Sequence, residues 1–302
     1  MRCFEPMATD GPERTKLSRD EHQLGSSSRA LRMPDRRLRP FLQREYVGAS
    51  HEGLKFESWL EPPQPVATLM ISLRDPLRTE RAELPRAWIA GLDDRPEIVD
   101  TSGRHTEVDL KLTALGAYAL CGVPMSELTG QVVPLEEVFG PGVQFLPEQL
   151  AEAQSWNTRF DLVERLLLSR LGVAAVPDPF VVEAVRRLQV RGGRIRINEL
   201  AAGLNVSRRH LSTRFRAQVG LPPKTFARLL RFELARRLMN ERPARWADLA
   251  AECGYADQSH LNREFRELGG TSPAQLLARR LPGFGTVGDG ITFVQDIGEG
   301  RT

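Results

Sequence analysis

The sequence predicts an α+β protein: a small β-rich, barrel-like domain with some helices, then an all-α domain of two helix-turn-helix units joined by a long helix. Three observations predict it. Short apolar runs closed by turn residues crowd the first half, nearly every segment beyond Pro177 has helical period, and the helical part contains an internal repeat.

Residues 1–36 are rich in Arg, Ser, Asp and Pro, carry no apolar signal-peptide core, and read as a disordered lead-in. Residues 37–176 form the first domain. Within it, 66–73 and 87–90 are apolar runs ending in Asp-Pro or Gly-containing turns, and 108–112 alternates apolar and polar as a half-buried strand should. Helical period then covers 113–121, 147–154 and 156–171. Phe160, Leu162, Val163, Leu166, Leu167 and Leu171 give the last helix an apolar face, which core packing and a homodimer contact would each explain. Trp88 and Tyr118 could line a pocket, although core positions suit aromatic residues at these spacings equally well.

Pro177-Asp178-Pro179 marks the domain boundary, because a proline disfavours helix at the residue before it and opens a helix readily at its own position. Residues 177–282 make up the helical domain and 283–302 a tail, in which 291–294 could add one strand.

With 302 residues, 41% apolar and 27% charged, the chain can bury a sizeable core, and no run of about 18 apolar residues suggests a membrane span. Cys3, Cys121 and Cys253 lie far apart and form no CxxC pair, which suits a reducing cytoplasm. The five histidines show no metal-ligand spacing, so neither metal nor other cofactor is expected. The net charge of +3 hides an asymmetry: residues 177–282 hold 20 Lys/Arg against 10 Asp/Glu, so the remainder carries −7. Such a surplus is the electrostatic footprint of a nucleic-acid-binding module joined to a non-binding one, though a solvated basic face would also give it.

The repeat sharpens that reading. Leu200-Ala201-Ala202 recurs as Leu249-Ala250-Ala251, at an offset of 49. One inserted residue later, at an offset of 50, His210-Leu211, Phe215-Arg216, Gly220 and Pro223 recur as His260-Leu261, Phe265-Arg266, Gly270 and Pro273. Each copy has the grammar of a helix-turn-helix. Small alanines allow a close helix crossing, Asn205 or Gly254 supplies a turn residue tolerant of left-handed backbone, and Ser207 or Asp257 supplies the N-cap. Leu211 and Phe215, like Leu261 and Phe265, then face the core. Arg208, Arg209, Ser212 and Thr213 point outward in the first unit; Gln258, Ser259, Asn262 and Arg263 do so in the second. These side chains can hydrogen-bond base edges in a major groove, Arg to guanine and Asn or Gln to adenine. A helix of about 16 residues within 222–239, about 24 Å long, would hold the two readers near one DNA turn apart, about 34 Å.

The segment 253–266 (CGYADQSHLNREFR), followed by Gly270-Thr271-Ser272-Pro273, resembles the DNA-binding domain of AraC/XylS-type bacterial transcription regulators, and the first unit fits the same family. The resemblance implies a seven-helix domain whose third and sixth helices enter successive major grooves. It adds His260 to the base-reading candidates and points to Arg209, Ser212 and Thr213 in the first unit. The sequence departs from the family pattern at Asn205, at the short readers Ser212 and Thr213, and at Leu268-Gly269. His210 and His260, at equivalent repeat positions, also suit structural or backbone-contacting roles.

The expected function is sequence-specific transcription regulation on double-stranded DNA in the cytoplasm, at the nucleoid. The resemblance further implies that 37–176 senses a small molecule or mediates dimerisation, so the expected further partners are a small-molecule effector, RNA polymerase for an activator, and a second copy of the chain. No activated Ser or Cys, paired carboxylate motif or phosphate loop points to an enzyme. A helical adaptor that binds only protein is the other alternative, and it predicts no retention on DNA even at low salt.

Overall fold

In a computed structural model of the chain, the residues described are 15–22, 25–52, 58–100, 104–241, 245–278 and 292–293. Strands β1 (Lys16–His22), β2 (Gly25–Arg32), β3 (Tyr46–Glu52), β4 (Ser58–Glu61), β5 (Val66–Ser72), β6 (Arg78–Thr79), β7 (Ala87–Ala90), β8 (Glu97–Asp100), β9 (Arg104–Thr113) and β10 (Val132–Pro134) fall in the first half, and β11 (Thr292–Phe293) lies near the C-terminus. They form two antiparallel sheets. The larger has the order β1-β2-β3-β9-β5-β7-β10 and the smaller β11-β4-β8-β6. Among the described residues the sheets do not close into a barrel, which corrects the barrel-like expectation: the small sheet lies across one face of the large one.

The two faces of the large sheet differ sharply. One face carries Ala67, Leu69, Ile71, Ile89, Val108, Leu110 and Leu112, all fully buried, and takes helices. The helices here are α1 (Ala114–Cys121), α2 (Met125–Leu128), α3 (Leu135–Phe139), α4 (Leu146–Glu152) and α5 (Trp156–Leu171). Thr113 caps α1 by accepting from the Gly116 N–H, and Ser155 caps α5 by accepting from the Thr158 N–H. Phe160, Val163 and Leu167 of α5 are buried in the core, while Leu162, Leu166 and Leu171 pack partly buried around it. Arg32 fastens α5 to the sheet through Asp161 at 2.6 Å and Glu164 at 3.5 Å. Gly48 is required where Trp156 lies flat on β3, since a Cβ there would sit 2.3 Å from its ring.

The opposite face carries His51, Thr68, Met70, Ser72, Trp88, His105, Glu107, Asp109 and Lys111, as the strand registers dictate. The alternation of 108–112 predicts a polar face in water; here the second sheet covers it, and His105 and Lys111 are 3% and 7% exposed. Met70, Trp88, Leu77 and Val99 form a small apolar cluster between the sheets. His105 Nε2 meets the Glu107 carboxylate, and Lys111 Nζ lies 3.0 Å from Thr68 Oγ1 and 3.5 Å from Asp109.

Strands β1 and β2 correct a second expectation, since they occupy the part assigned to a disordered lead-in and pair from Lys16↔Leu31 to His22↔Gly25. The largely polar sequence of β1, KLSRDEH, offers no apolar alternation to read. Residues 1–14 lie outside the described residues, as does most of the tail. Thr292 and Phe293 do add a short strand, paired with Leu60 and Trp59 of β4.

Beyond Pro177 the chain is helical: α6 (Pro179–Val190), α7 (Ile197–Ala202), α8 (Arg208–Val219), α9 (Pro223–Glu241), α10 (Trp246–Glu252), α11 (Gln258–Gly269) and α12 (Pro273–Ala278). The backbone break at Pro177 is not a break in packing, because one buried apolar cluster runs from β5 and α5 through α8 to α11. Helices α1 and α2 pack on α8, and Thr129 Oγ1 lies 2.9 Å from the Gly220 carbonyl oxygen, to which it donates. On the other side, a Cβ on Gly270 would lie 3.4 Å from Leu60 of β4 and 3.6 Å from Pro96, which immediately precedes β8. Each helical hairpin therefore touches the β-rich part.

Candidate nucleic-acid interface

The two repeats fold alike because the same local rules act on both. In the first, Asn205 takes φ 54°, and in the second Gly254 takes φ 78°, so each chain reverses through a left-handed residue. Ser207 Oγ accepts from the His210 N–H at 3.1 Å, and Asp257 Oδ1 from the His260 N–H at 2.7 Å, closing the N-termini of α8 and α11. Leu211, Phe215, Leu261 and Phe265 are fully buried. Phe215 packs edge-on against Phe226 at 5.7 Å, and Phe265 against Phe232 at 4.8 Å, so one helix, α9, supports both recognition helices.

Helix α9 runs 19 residues, about 28 Å, slightly longer than its sequence pattern predicts. Its buried side includes Phe226, Ala227, Leu229, Phe232, Ala235 and Met239, whereas Leu230, Leu234 and Leu238 are only partly buried. Arg228 and Arg231 on α9 reach the buried carboxylate of Glu264 at 2.7 and 3.7 Å, and Arg228 also meets Glu267 at 2.5 Å. Arg231 lies over the Tyr255 ring, 5.6 Å from its centroid. This charged lock between α9 and α11 has no counterpart in the sequence reading; a Glu three residues before another Glu signals nothing by itself.

With the apolar side of each helix turned inward, Arg208, Arg209 and Thr213 on α8 are exposed and Ser212 is half-buried. On α11, Gln258, Ser259 and Arg263 are exposed and Asn262 is half-buried. His260 differs from these. Its Nδ1 accepts from the Ala256 N–H at 3.3 Å, its Nε2 lies 3.9 Å from Glu264, and its ring meets Tyr255 edge-on, so its contacts point back into the unit. His210 lies 5.1 Å from the ring of Phe180 and remains exposed. Arg216 and Arg266, one position after the buried phenylalanines, add two exposed cations at matching places. Arg214 is committed elsewhere, pairing with Asp178 at 2.7 Å. The arrangement presents two capped helices, each with an outward polar and basic face, on a shared support.

Among the described residues no helix is long and apolar enough to cross a membrane, and no group of three or more His, Cys, Asp or Glu is placed to hold a metal ion. Cys121 and Cys253 are free and buried, and burial pushes the Cys121 thiol up to about 12 and the Cys253 thiol up to about 11, so neither is poised as a nucleophile.

A double helix-turn-helix is thus the class this geometry defines, and comparison with known proteins agrees. Residues 200–279 match the family described as a helix-turn-helix domain. An AraC-like transcription regulator of Streptomyces antibioticus is 32% identical over 111 residues, covering 36% of this chain and 37% of that protein. A helix-turn-helix-type transcriptional regulator of Mycobacterium tuberculosis is 36% identical over 84 residues, covering 28% of this chain and 32% of that one. Among solved structures, the DNA-binding domain of AdpA in complex with a target DNA is 27% identical, with a TM-score of 0.32 over 33% of this chain and 92% of that one. ToxT from Vibrio cholerae covers 77% of this chain and 98% of its own at 11% identity and a TM-score of 0.45. The C-terminal part of this chain therefore matches a helix-turn-helix domain and is similar to the corresponding part of an AraC-like transcription regulator. The chain spans about a third of the length of these two curated relatives.

Proposed function

We propose that the chain is a sequence-specific, DNA-binding transcription regulator whose helices α8 and α11 read two successive major grooves. The observation that carries this reading is the duplication itself: two capped helices with buried Leu and Phe on one side and exposed polar and basic residues on the other. Arg208, Arg209, Ser212 and Thr213 read one groove; Gln258, Ser259, Asn262 and Arg263 read the other. Arginine suits guanine, and Asn262 and Gln258 suit adenine. His260 supports the second reader from behind. Arg216, Arg266 and the helix N-termini supply phosphate contacts. The β-rich part acts as the effector-sensing module, a role supported by its direct contacts with both reading units and by a cleft between its sheets. A homodimer and a contact with RNA polymerase belong to the same regulatory reading.

Salt tests the electrostatic half of this proposal. In fluorescence anisotropy with a labelled duplex, affinity should fall steeply, by about 10³–10⁵ between about 50 and 200 mM salt for some six to ten phosphate contacts. Affinity independent of salt, or no retention even at low salt, would contradict DNA binding and favour a protein-only adaptor.

A further inference from the structure

Between the two sheets, at the end nearest the second reading unit, lies a cleft of about 380 Å³, within the range of small-molecule sites. Glu61 of β4 and Glu97 of β8 both line it. The two are direct partners in the antiparallel ladder, so their side chains share one face. Like charges directly opposite one another destabilise a strand pair. The other acidic residues of the lining have their own arginines: Asp93 pairs with Arg95 at 3.5 Å and Glu83 with Arg78 at 2.9 Å. Glu61 has only the Gln64 amide, at 2.8 Å, and Glu97 only the Thr79 hydroxyl; among the described residues neither forms an ion pair.

Burial raises both carboxyls above the ordinary range, Glu61 to about 7. Lys111, Asp109 and Arg236 act on Glu61 through space, and Arg81, Asp93 and Glu80 on Glu97, without cancelling the effect of burial. Two opposed, half-buried carboxyls beside a cleft of this size suit an organic cation, and among the described residues no third His, Cys, Asp or Glu is placed with them to hold a metal ion. We propose that this cleft binds a small organic amine, its ammonium held between Glu61 and Glu97 and its body lying against Val66, Leu84 and Val132. Naming the ligand class in this way rests on the sensor reading of the β-rich part.

The walls of the cleft lead to both reading units. Gly130 and Gln131 line it, and the adjoining Thr129 hydroxyl donates to the Gly220 carbonyl at the end of α8. Leu60 and Pro96, the neighbours of the two carboxylates, approach Gly270 at the end of α11. An amine seated between these carboxylates and the opposite wall of the cleft would bear on the seats of both helices.

Phenethylamine and cadaverine are suitable probes, with 2-phenylethanol and 3-phenylpropionate as neutral and anionic counterparts, tested on the full chain by calorimetry and thermal shift. At least one amine should bind and raise Tm, while the alcohol and the carboxylate do not. Glu97→Gln and, separately, Glu61→Gln should weaken amine binding by about tenfold or more. Because ionised Glu61 is the form that favours a cation, affinity should fall as pH drops through about 7. Binding of neither amine, or equal binding of the alcohol or carboxylate, would overturn the proposal, and these wild-type comparisons hold whether or not a variant folds. Amine binding that requires the two carboxylates but leaves DNA retention unchanged would uphold the site and sink the sensor reading.

Discussion

Arg263→Ala is expected to cost about 1–3 kcal/mol in binding to a cognate duplex, and the loss should vanish when one particular base pair of the site is changed. Arg263 projects from α11 into solvent, has no ion-pair partner among the described residues, and stands in the second turn of its helix. Its guanidinium is therefore free to meet a base edge with two parallel hydrogen bonds. Arg228→Ala is the instructive contrast, since that residue is tied to Glu264 and Glu267. Its loss should lower stability and affect all sequences alike. Titration of the wild type and both variants against a matrix of single-base-pair changes checks the difference, and an equal loss on every duplex for Arg263→Ala would remove it from the reading face.

Phe265→Ala should have the largest effect on stability, about 3–5 kcal/mol in urea-induced unfolding. Phe265 is fully buried and meets Phe232 edge-on at 4.8 Å, so truncation leaves a cavity between α11 and α9 that neither helix can close alone. Against a typical total of about 5–15 kcal/mol, that loss would leave the second reading unit largely unfolded near body temperature. Ser259→Ala, on the exposed side of the same helix, should change stability by less than about 0.5 kcal/mol. A small effect for Phe265→Ala would mean that α11 is not seated on α9 through this ring.

What was legible in the sequence follows from the range of the interactions. The helical hairpins depend on contacts a few residues apart: a cap at Ser207 or Asp257, a left-handed turn at Asn205 or Gly254, and a Leu-Phe pair one turn apart. A repeat at an offset of 49–50 residues states that local grammar twice. The β-rich part depends instead on pairings across the chain. Strand β9 reads as half-buried from its alternation, and its apolar side is in the core. Nothing local to His105, Glu107, Asp109 and Lys111 reveals that β4 and β8, only four residues each, return to cover them. The cleft was hidden for the same reason, since Glu61 and Glu97 become neighbours only through strand register. Likewise, the lock between Arg228 and Glu264 lies 36 residues apart in the chain and exists only once α9 and α11 have packed.

Continuity between the β-rich part and the reading helices gives the regulatory reading its physical content. Thr129 against Gly220 and Leu60 against Gly270 are small contacts, yet each bears on the end of a recognition helix where a slight tilt changes the reach of the exposed side chains. A ligand between the sheets need alter only these seats to change how well both readers fit one duplex at once.

Selection of genomic fragments retained by the purified full chain at near-physiological salt asks whether the two equivalent helices read one stretch of DNA together. The expected result is a recurring bipartite site whose halves lie about one helical turn apart, with Arg263→Ala relaxing the sequence in one half only. Retention without any sequence preference, in the presence as in the absence of an amine that binds the cleft, would contradict it.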